Sequence, residues 1–261
     1  MIDTHVHFNS KGLSSEWREA LDRASGVGVE SCVVVGYDLQ SSAKGVELSE
    51  ADPRLWATVG IHPHDATSWS DEVLEKLRAW LAYPRVVALG EIGLDFYRDL
   101  SPRPDQYRAF SAQLALARET GSTVILHCRD AYDECLEVLE AEAVGLTVIL
   151  HCFLGDRAQA ERAWAKGWFI GVDGPVTYKK NDALREIIAA CPEELLLLET
   201  DAPWLSPEPF RGKFPNEPAR LEQIRQRVAE VRNTTVSAVD SLTTENARRA
   251  FPRIRGVETS R

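Results

Sequence analysis

Short apolar runs of strand length alternate with amphipathic stretches along the whole chain. CVVVG, VVALG, LLLLE and TVILH, which occurs twice, are apolar at consecutive positions rather than at every second one. Strands buried on both faces read this way, as in a parallel sheet covered by helices. The pattern predicts strands over residues 2–8, 31–36, 55–60, 85–90, 122–127, 146–151, 168–172 and 194–199. Helical periodicity fills the intervals at 15–25, 40–50, 70–82, 104–119, 130–142, 156–166 and 181–190, and returns at 217–231 and 235–250. Local signals agree. Ser70 precedes Asp71 and Glu72 as a helix start should, and Gly121 and Gly167 stand where helices should stop.

Eight strand-then-helix units in 261 residues predict a (β/α)8 TIM barrel, a single domain over residues 1–261 with its core from about 2 to 251. A doubly wound open sheet shares the local pattern, but it gathers its site at one switch point. Here polar residues close nearly every strand, which favours the barrel.

Composition narrows the class. Hydrophobic residues make up 44% and charged residues 27%, as in ordinary globular proteins. No stretch approaches the ~20 apolar residues that cross a bilayer. The first strand begins at Ile2, so no signal peptide is expected and the cytoplasm is the expected location. The five cysteines form no CxxC pair, which argues against a disulfide framework or a zinc finger. Cys128 and Cys152 each follow a histidine, and strand alternation predicts packing thiols there. A net charge of −10 argues against broad, nonspecific nucleic-acid binding. It leaves open a nuclease whose bound cations neutralise the substrate locally.

All six histidines fall at or just past the ends of apolar runs: His5, His7, His62, His64, His127 and His151. Imidazole is both a metal ligand and a proton carrier near neutral pH. His5 and His7 share a strand face at i and i+2, with Asp3 one step deeper as a supporting group. His127 and His151 end near-identical strands. Glu91 follows VVALG, where a carboxylate is costly to bury without a cation or a donor. It lies between Gly90 and Gly93, which leave room for close approach, and a carboxylate can bridge two cations about 3.5–4 Å apart. Asp201 follows four leucines in LLLLETDAPWL and stands nearest the rim, with Glu199 deeper on the same face. It can bind a metal or take a proton from bound water. His62 and His64 flank Pro63, and either could protonate a leaving group or hold a phosphate.

The segment PFRGKFPNEP at 209–218 is basic and aromatic in an acidic chain. In a barrel it lies over the same face as the site. Arg211 and Lys213 can neutralise phosphates, and Trp204 or Phe210 can stack on a base.

Taken together, HVHF, GIHPHDA, GEIGLDFY, the two ILHC strand ends, HCFLGD, ETDAPWL, RGK with NEP, and TTENARRAF resemble the TatD family of metal-dependent deoxyribonucleases. The resemblance runs from Ile2 to about Phe251. It implies two divalent cations, magnesium, manganese or zinc. One is expected at His5, His7 and Asp201 and the other at His127 and His151, with Glu91 between. It also implies hydrolysis of DNA phosphodiester bonds, with attack from a 3′ end. In this reading Asp201 orients and deprotonates the attacking water. His62 or His64 handles the phosphate or the leaving oxygen, and Arg129 and Arg211 assist. Phe210 and Leu154 depart from the family pattern at the rim, where substrate preference is set. The same metal barrel could also serve a lactonase or amidase acting on a small carbonyl substrate. The basic, aromatic loop and Glu91 favour the nuclease.

Overall fold

The computed structural model describes residues 1–256. In chain order the elements are β1 (Ile2–Val6), α1 (Trp17–Gly26), β2 (Ser31–Val34), α2 (Leu39–Ala51), β3 (Leu55–Val59), α3 (Asp71–Leu81), β4 (Val86–Asp95) and α4 (Arg103–Thr120). They continue as β5 (Thr123–Arg129), α5 (Tyr132–Glu142), β6 (Val148–Leu150), α6 (Arg157–Ala165), β7 (Phe169–Val172), α7 (Asp182–Ala190), β8 (Leu196–Leu198), α8 (Leu221–Val231) and α9 (Val236–Ala250). The strands form one eight-stranded sheet whose order is chain order, β1 through β8. That order, with a helix after each strand, is the topology of a (β/α)8 barrel.

The chain forms two compact units, one of Met1–Val34 with Cys152–Ala247, the other of Val35–His151 with the described residues from Arg248. In the first, β1 pairs with β2 and β7 with β8, both in parallel. The chain beyond β8 returns to β1, because Val6 bridges Ala202 in parallel. The Asp201 amide donates to the His5 carbonyl at 3.0 Å, and the His7 amide to the Ala202 carbonyl at 2.7 Å. In the second unit β3, β4, β5 and β6 pair in succession, all parallel. The consecutive apolar positions are buried as their pattern requires. Val124, Leu126, Val148 and Leu150 have no exposed surface, and Ile125 and Ile149 retain only 1% each. Each such side chain contributes roughly 1.5–3 kcal/mol through burial.

Helix ends follow their local chemistry. Ser70 accepts the Val73 amide at 3.3 Å, and Gly121 closes α4 in the left-handed region at φ 64°. The main departure from the sequence pattern is β4. It runs to Asp95 rather than stopping at Gly90, so Glu91 lies within a strand and not after one. Gly90 and Gly93 leave room for close approach, as expected, and the group that approaches is the neighbouring strand β5. A Cβ at Gly90 would stand 2.6 Å from the Ile125 side chain, and one at Gly93 would overlap the His127 carbonyl oxygen. Among the described residues, no helix is long and apolar enough to cross a membrane.

Candidate metal centre

Unit by unit, the carboxylates and imidazoles gather at the strand ends. In the first unit, β1 delivers His5, and His7 follows directly. Their Nε2 atoms lie 3.1 Å apart. Asp201 Oδ1 is 3.4 Å from His7 Nε2 and 3.9 Å from His5 Nε2, so three ligand atoms converge. Asp201 reaches this position through a left-handed backbone, at φ 51°. Asp3 fixes the frame. Its Oδ1 accepts the His5 and Thr200 amides at 3.2 and 3.0 Å, and its Oδ2 accepts the Thr200 hydroxyl at 2.6 Å. Burial pushes Asp3 up to about 7, against the pull of those hydrogen bonds. Glu199, fully buried, accepts the Cys152 amide at 2.6 Å. It fits because residue 171 is glycine, where a Cβ would overlap the carboxylate. Both acids thus lie deep and accept backbone amides, Asp3 those of His5 and Thr200 and Glu199 that of Cys152.

In the second unit, Glu91 and Asp95 project four residues apart from one face of β4. His127, on β5, lies between them. Its Nδ1 is 2.8 Å from Glu91 Oε1 and its Nε2 is 3.0 Å from Asp95 Oδ2. Asp95 Oδ2 also meets His64 Nε2 at 2.8 Å. Glu91 Oε1 stands 3.8 Å from His151 Nε2 and 3.9 Å from His62 Nε2. Burial lowers the His127 pKa, but the bonds to Asp95 and Glu91 outweigh it and raise the value to about 9. Burial likewise opposes Asp95, yet the hydrogen bonds from His127, His64 and the Arg98 amide hold its carboxyl well below the usual range. A divalent cation in place of the Nδ1 proton would meet Glu91 and His127 while Asp95 kept the Nε2 proton. Metal-binding histidines are commonly oriented in this way, so the donor set fits a cation.

His62 lies within ligand distance of Glu91 and His127, but its hydrogen bonding argues for a different task. Its Nδ1 accepts the His64 amide at 3.0 Å, capping the short 3-10 turn Pro63–Ser68. The neutral ring then carries its proton on Nε2, which is a donor and not a lone pair. Burial and the neighbouring His127 keep the ring neutral, with its pKa well below the ordinary imidazole value. Of the pair flanking Pro63, His62 is therefore the buried donor beside Glu91. His64 sits on Asp95 with 30% of its side chain exposed.

The sequence profile of the TatD related DNase family matches residues 2–252. This chain belongs to that family. The 3′-5′ ssDNA/RNA exonuclease TatD of Klebsiella pneumoniae is 39% identical over 256 residues, covering 96% of this chain and 97% of its own length. An uncharacterized metal-dependent hydrolase of Bacillus subtilis, YabD, is 37% identical over 254 residues, covering 96% and 98%. The crystal structure of YjjV, a TatD homologue from Escherichia coli K12, superposes with a TM-score of 0.92 at 33% identity over 97% of this chain and 98% of that one. The fold is thus the (β/α)8 barrel. The TatD-type chain is a metal-dependent hydrolase of phosphodiester bonds, with the metal's identity left open.

The rim residues are distributed between the units. Trp204 lies over the first group, its ring meeting His7 edge-on with centroids 4.9 Å apart. The loop carrying Arg211 and Lys213 is tied to the Asp201 segment, since Asn216 Nδ2 donates to the Thr200 carbonyl at 2.9 Å. Arg211 stacks 4.1 Å over Tyr178, and Lys213 lies 5.4 Å from the Phe210 ring. Arg129 belongs to the second unit, two residues beyond His127, and stacks 3.8 Å over Tyr97. The sequence reading missed Asp95. Its signal was the even spacing from Glu91, visible only once the strand is known to continue through the glycines. His151 and Cys152 also leave the predicted pattern. β6 ends at Leu150, and Cys152 adopts φ 44°, so strand alternation does not govern that histidine–cysteine pair. Cys152 and Cys128 are only partly buried, and none of the five cysteines, all among the described residues, is in a disulfide.

Proposed function

We propose that this TatD-family enzyme removes nucleotides from the 3′ end of single-stranded DNA, and of RNA, with two divalent cations. The observation that carries the reading is the Glu91–His127–Asp95 chain, in which one imidazole is held between two carboxylates beside two further histidines. His5, His7 and Asp201 would hold one cation, and Glu91, His127 and His151 the other. When bound, such cations supply Lewis acidity that polarises a phosphoryl oxygen and makes water nucleophilic near neutral pH. Asp201, nearest the rim, orients the attacking water and accepts its proton. His62 donates from Nε2 to a phosphate oxygen, and partly exposed His64 delivers a proton to the leaving oxygen. Trp204, Arg211, Lys213 and Arg129 contact the nucleic-acid substrate.

The relatives named as exonucleases support the substrate and its polarity, and the cytoplasm is the proposed location. The full chain, residues 1–261, acts as one domain. Neither compact unit is a continuous stretch of sequence, which supports that reading. The deciding experiment strips the protein of metal, reloads it with magnesium, manganese or zinc, and assays single-stranded DNA with free or blocked 3′ ends, RNA, duplex DNA and a panel of lactones. Metal-dependent shortening of free 3′ ends is expected. Turnover of lactones with intact oligonucleotides would overturn the proposal.

A further inference from the structure

Tyr97 is the large aromatic residue next to the second metal-capable group, and it is 58% exposed. Its surroundings are built rather than incidental. The Tyr97 and Arg98 amides donate to Asp95 Oδ1 at 3.0 and 2.7 Å, while Asp95 Oδ2 holds His64 and His127. The carboxylate that orients the site's imidazoles therefore also fixes the backbone that presents Tyr97. The Phe96 amide donates to the Arg129 carbonyl at 2.9 Å, locking the end of β4 to the end of β5. Across that junction the Arg129 guanidinium lies 3.8 Å from the Tyr97 ring centroid, and Arg98 lies 6.0 Å from it.

Charge marks the place as well. The chain has 40 acidic residues against 30 basic ones, and neighbouring Arg103 is paired with Asp99 at 3.5 Å. Among the described residues, neither Arg98 nor Arg129 has a carboxylate partner, and the Tyr97 hydroxyl has no protein partner. Two cations without counter-ions flank one exposed ring. That combination matches a nucleotide, whose base needs a flat face and whose phosphate needs a cation. A lactone or a small phosphodiester uses no stacking face, and bases paired within a duplex do not present theirs.

We propose that Tyr97, with Arg98 and Arg129, is a stacking subsite for one unpaired nucleotide of the bound strand. The base lies on the Tyr97–Arg129 stack and its phosphate meets the guanidinium groups. The inference rests on the nucleic-acid reading above and adds to it a residue and a basis for selecting single strands.

The test is binding of a labelled single-stranded oligodeoxynucleotide to the full chain in the presence of EDTA, read by fluorescence anisotropy. Tyr97→Ala should weaken binding between about 5- and 150-fold, the range of one base–aromatic stack, and Tyr97→Trp should restore it. An oligonucleotide scanned with a single abasic site should show one position where the wild-type protein loses the same factor and Tyr97→Ala loses nothing further. Unchanged affinity in Tyr97→Ala, or a loss that no abasic position reproduces, would overturn the subsite while leaving the nuclease reading intact. A wild-type protein that neither binds nor shortens the oligonucleotide would overturn both. Should Tyr97→Ala fold poorly, the same scan on Tyr97→Leu, which keeps the bulk and loses the aromatic face, decides the matter: a loss at the abasic position as large as the wild type's would overturn the subsite.

Discussion

At the scale of single residues, protonation decides what each histidine can do. His127 presents one nitrogen to Glu91 and the other to Asp95, whereas His62 has committed Nδ1 to a backbone amide and keeps a proton on Nε2. Identical side chains thus divide into a metal-capable ring and a donor. Asp95 makes the first assignment possible. Asp95→Asn should weaken metal binding at the Glu91–His127 group by about 10–100-fold, the usual effect of losing an orienting carboxylate. Titration calorimetry reads this directly, and unchanged affinity would remove Asp95 from the role. Asp201 belongs to the other group, and the proposed mechanism makes it the proton acceptor. Asp201→Asn should fold normally and keep most of its metal while losing turnover. Full activity in that variant would reassign the base.

At the scale of elements, β4 and β5 form the junction on which the second group stands. The hydrophobic pattern located both strands but ended β4 five residues early, because glycine interrupts an apolar run as a turn would. Both glycines serve the close approach that their place beside Glu91 predicted, here of β5 against β4. Gly93 combines a φ of +145° with the His127 carbonyl oxygen at the place a Cβ would occupy. Gly93→Ala should therefore cost roughly 2 kcal/mol or more, since alanine is strained at positive φ and the neighbouring strand must move. Thermal denaturation measures the loss. A melting temperature equal to wild type would mean that the β4–β5 junction yields easily.

At the scale of the whole molecule, metal is expected to contribute to stability as well as chemistry. The candidate ligands come from β1, β4, β5 and the segments after β6 and β8, so a bound ion holds together elements remote in sequence. Ligand that binds only the folded state stabilises by about 2.7 kcal/mol at a hundred times its dissociation constant. Chelation should lower the melting temperature and abolish activity together, and adding back a divalent cation should restore both. Calorimetry with and without EDTA tests this, and a melting temperature indifferent to metal would limit the ions to chemistry.

Much of this protein was legible before any coordinates. Consecutive apolar residues mark five of the buried parallel strands, because a sheet covered on both faces has no polar side, and the alternation of eight strand-length segments with helices set the topology. His5, His7, Glu91, His127, His151 and Asp201 stood out as candidates because ionisable residues in or beside buried apolar runs need partners. Tertiary structure decided what depends on distances across the sheet. It extended β4 through two glycines, joined Asp95 to His64 and His127 from 31 and 32 positions away, and gave His62 and His64 different partners and exposure. Hydrogen-bond direction and ring tautomer arise where separate strands meet, and no local pattern in one strand records them.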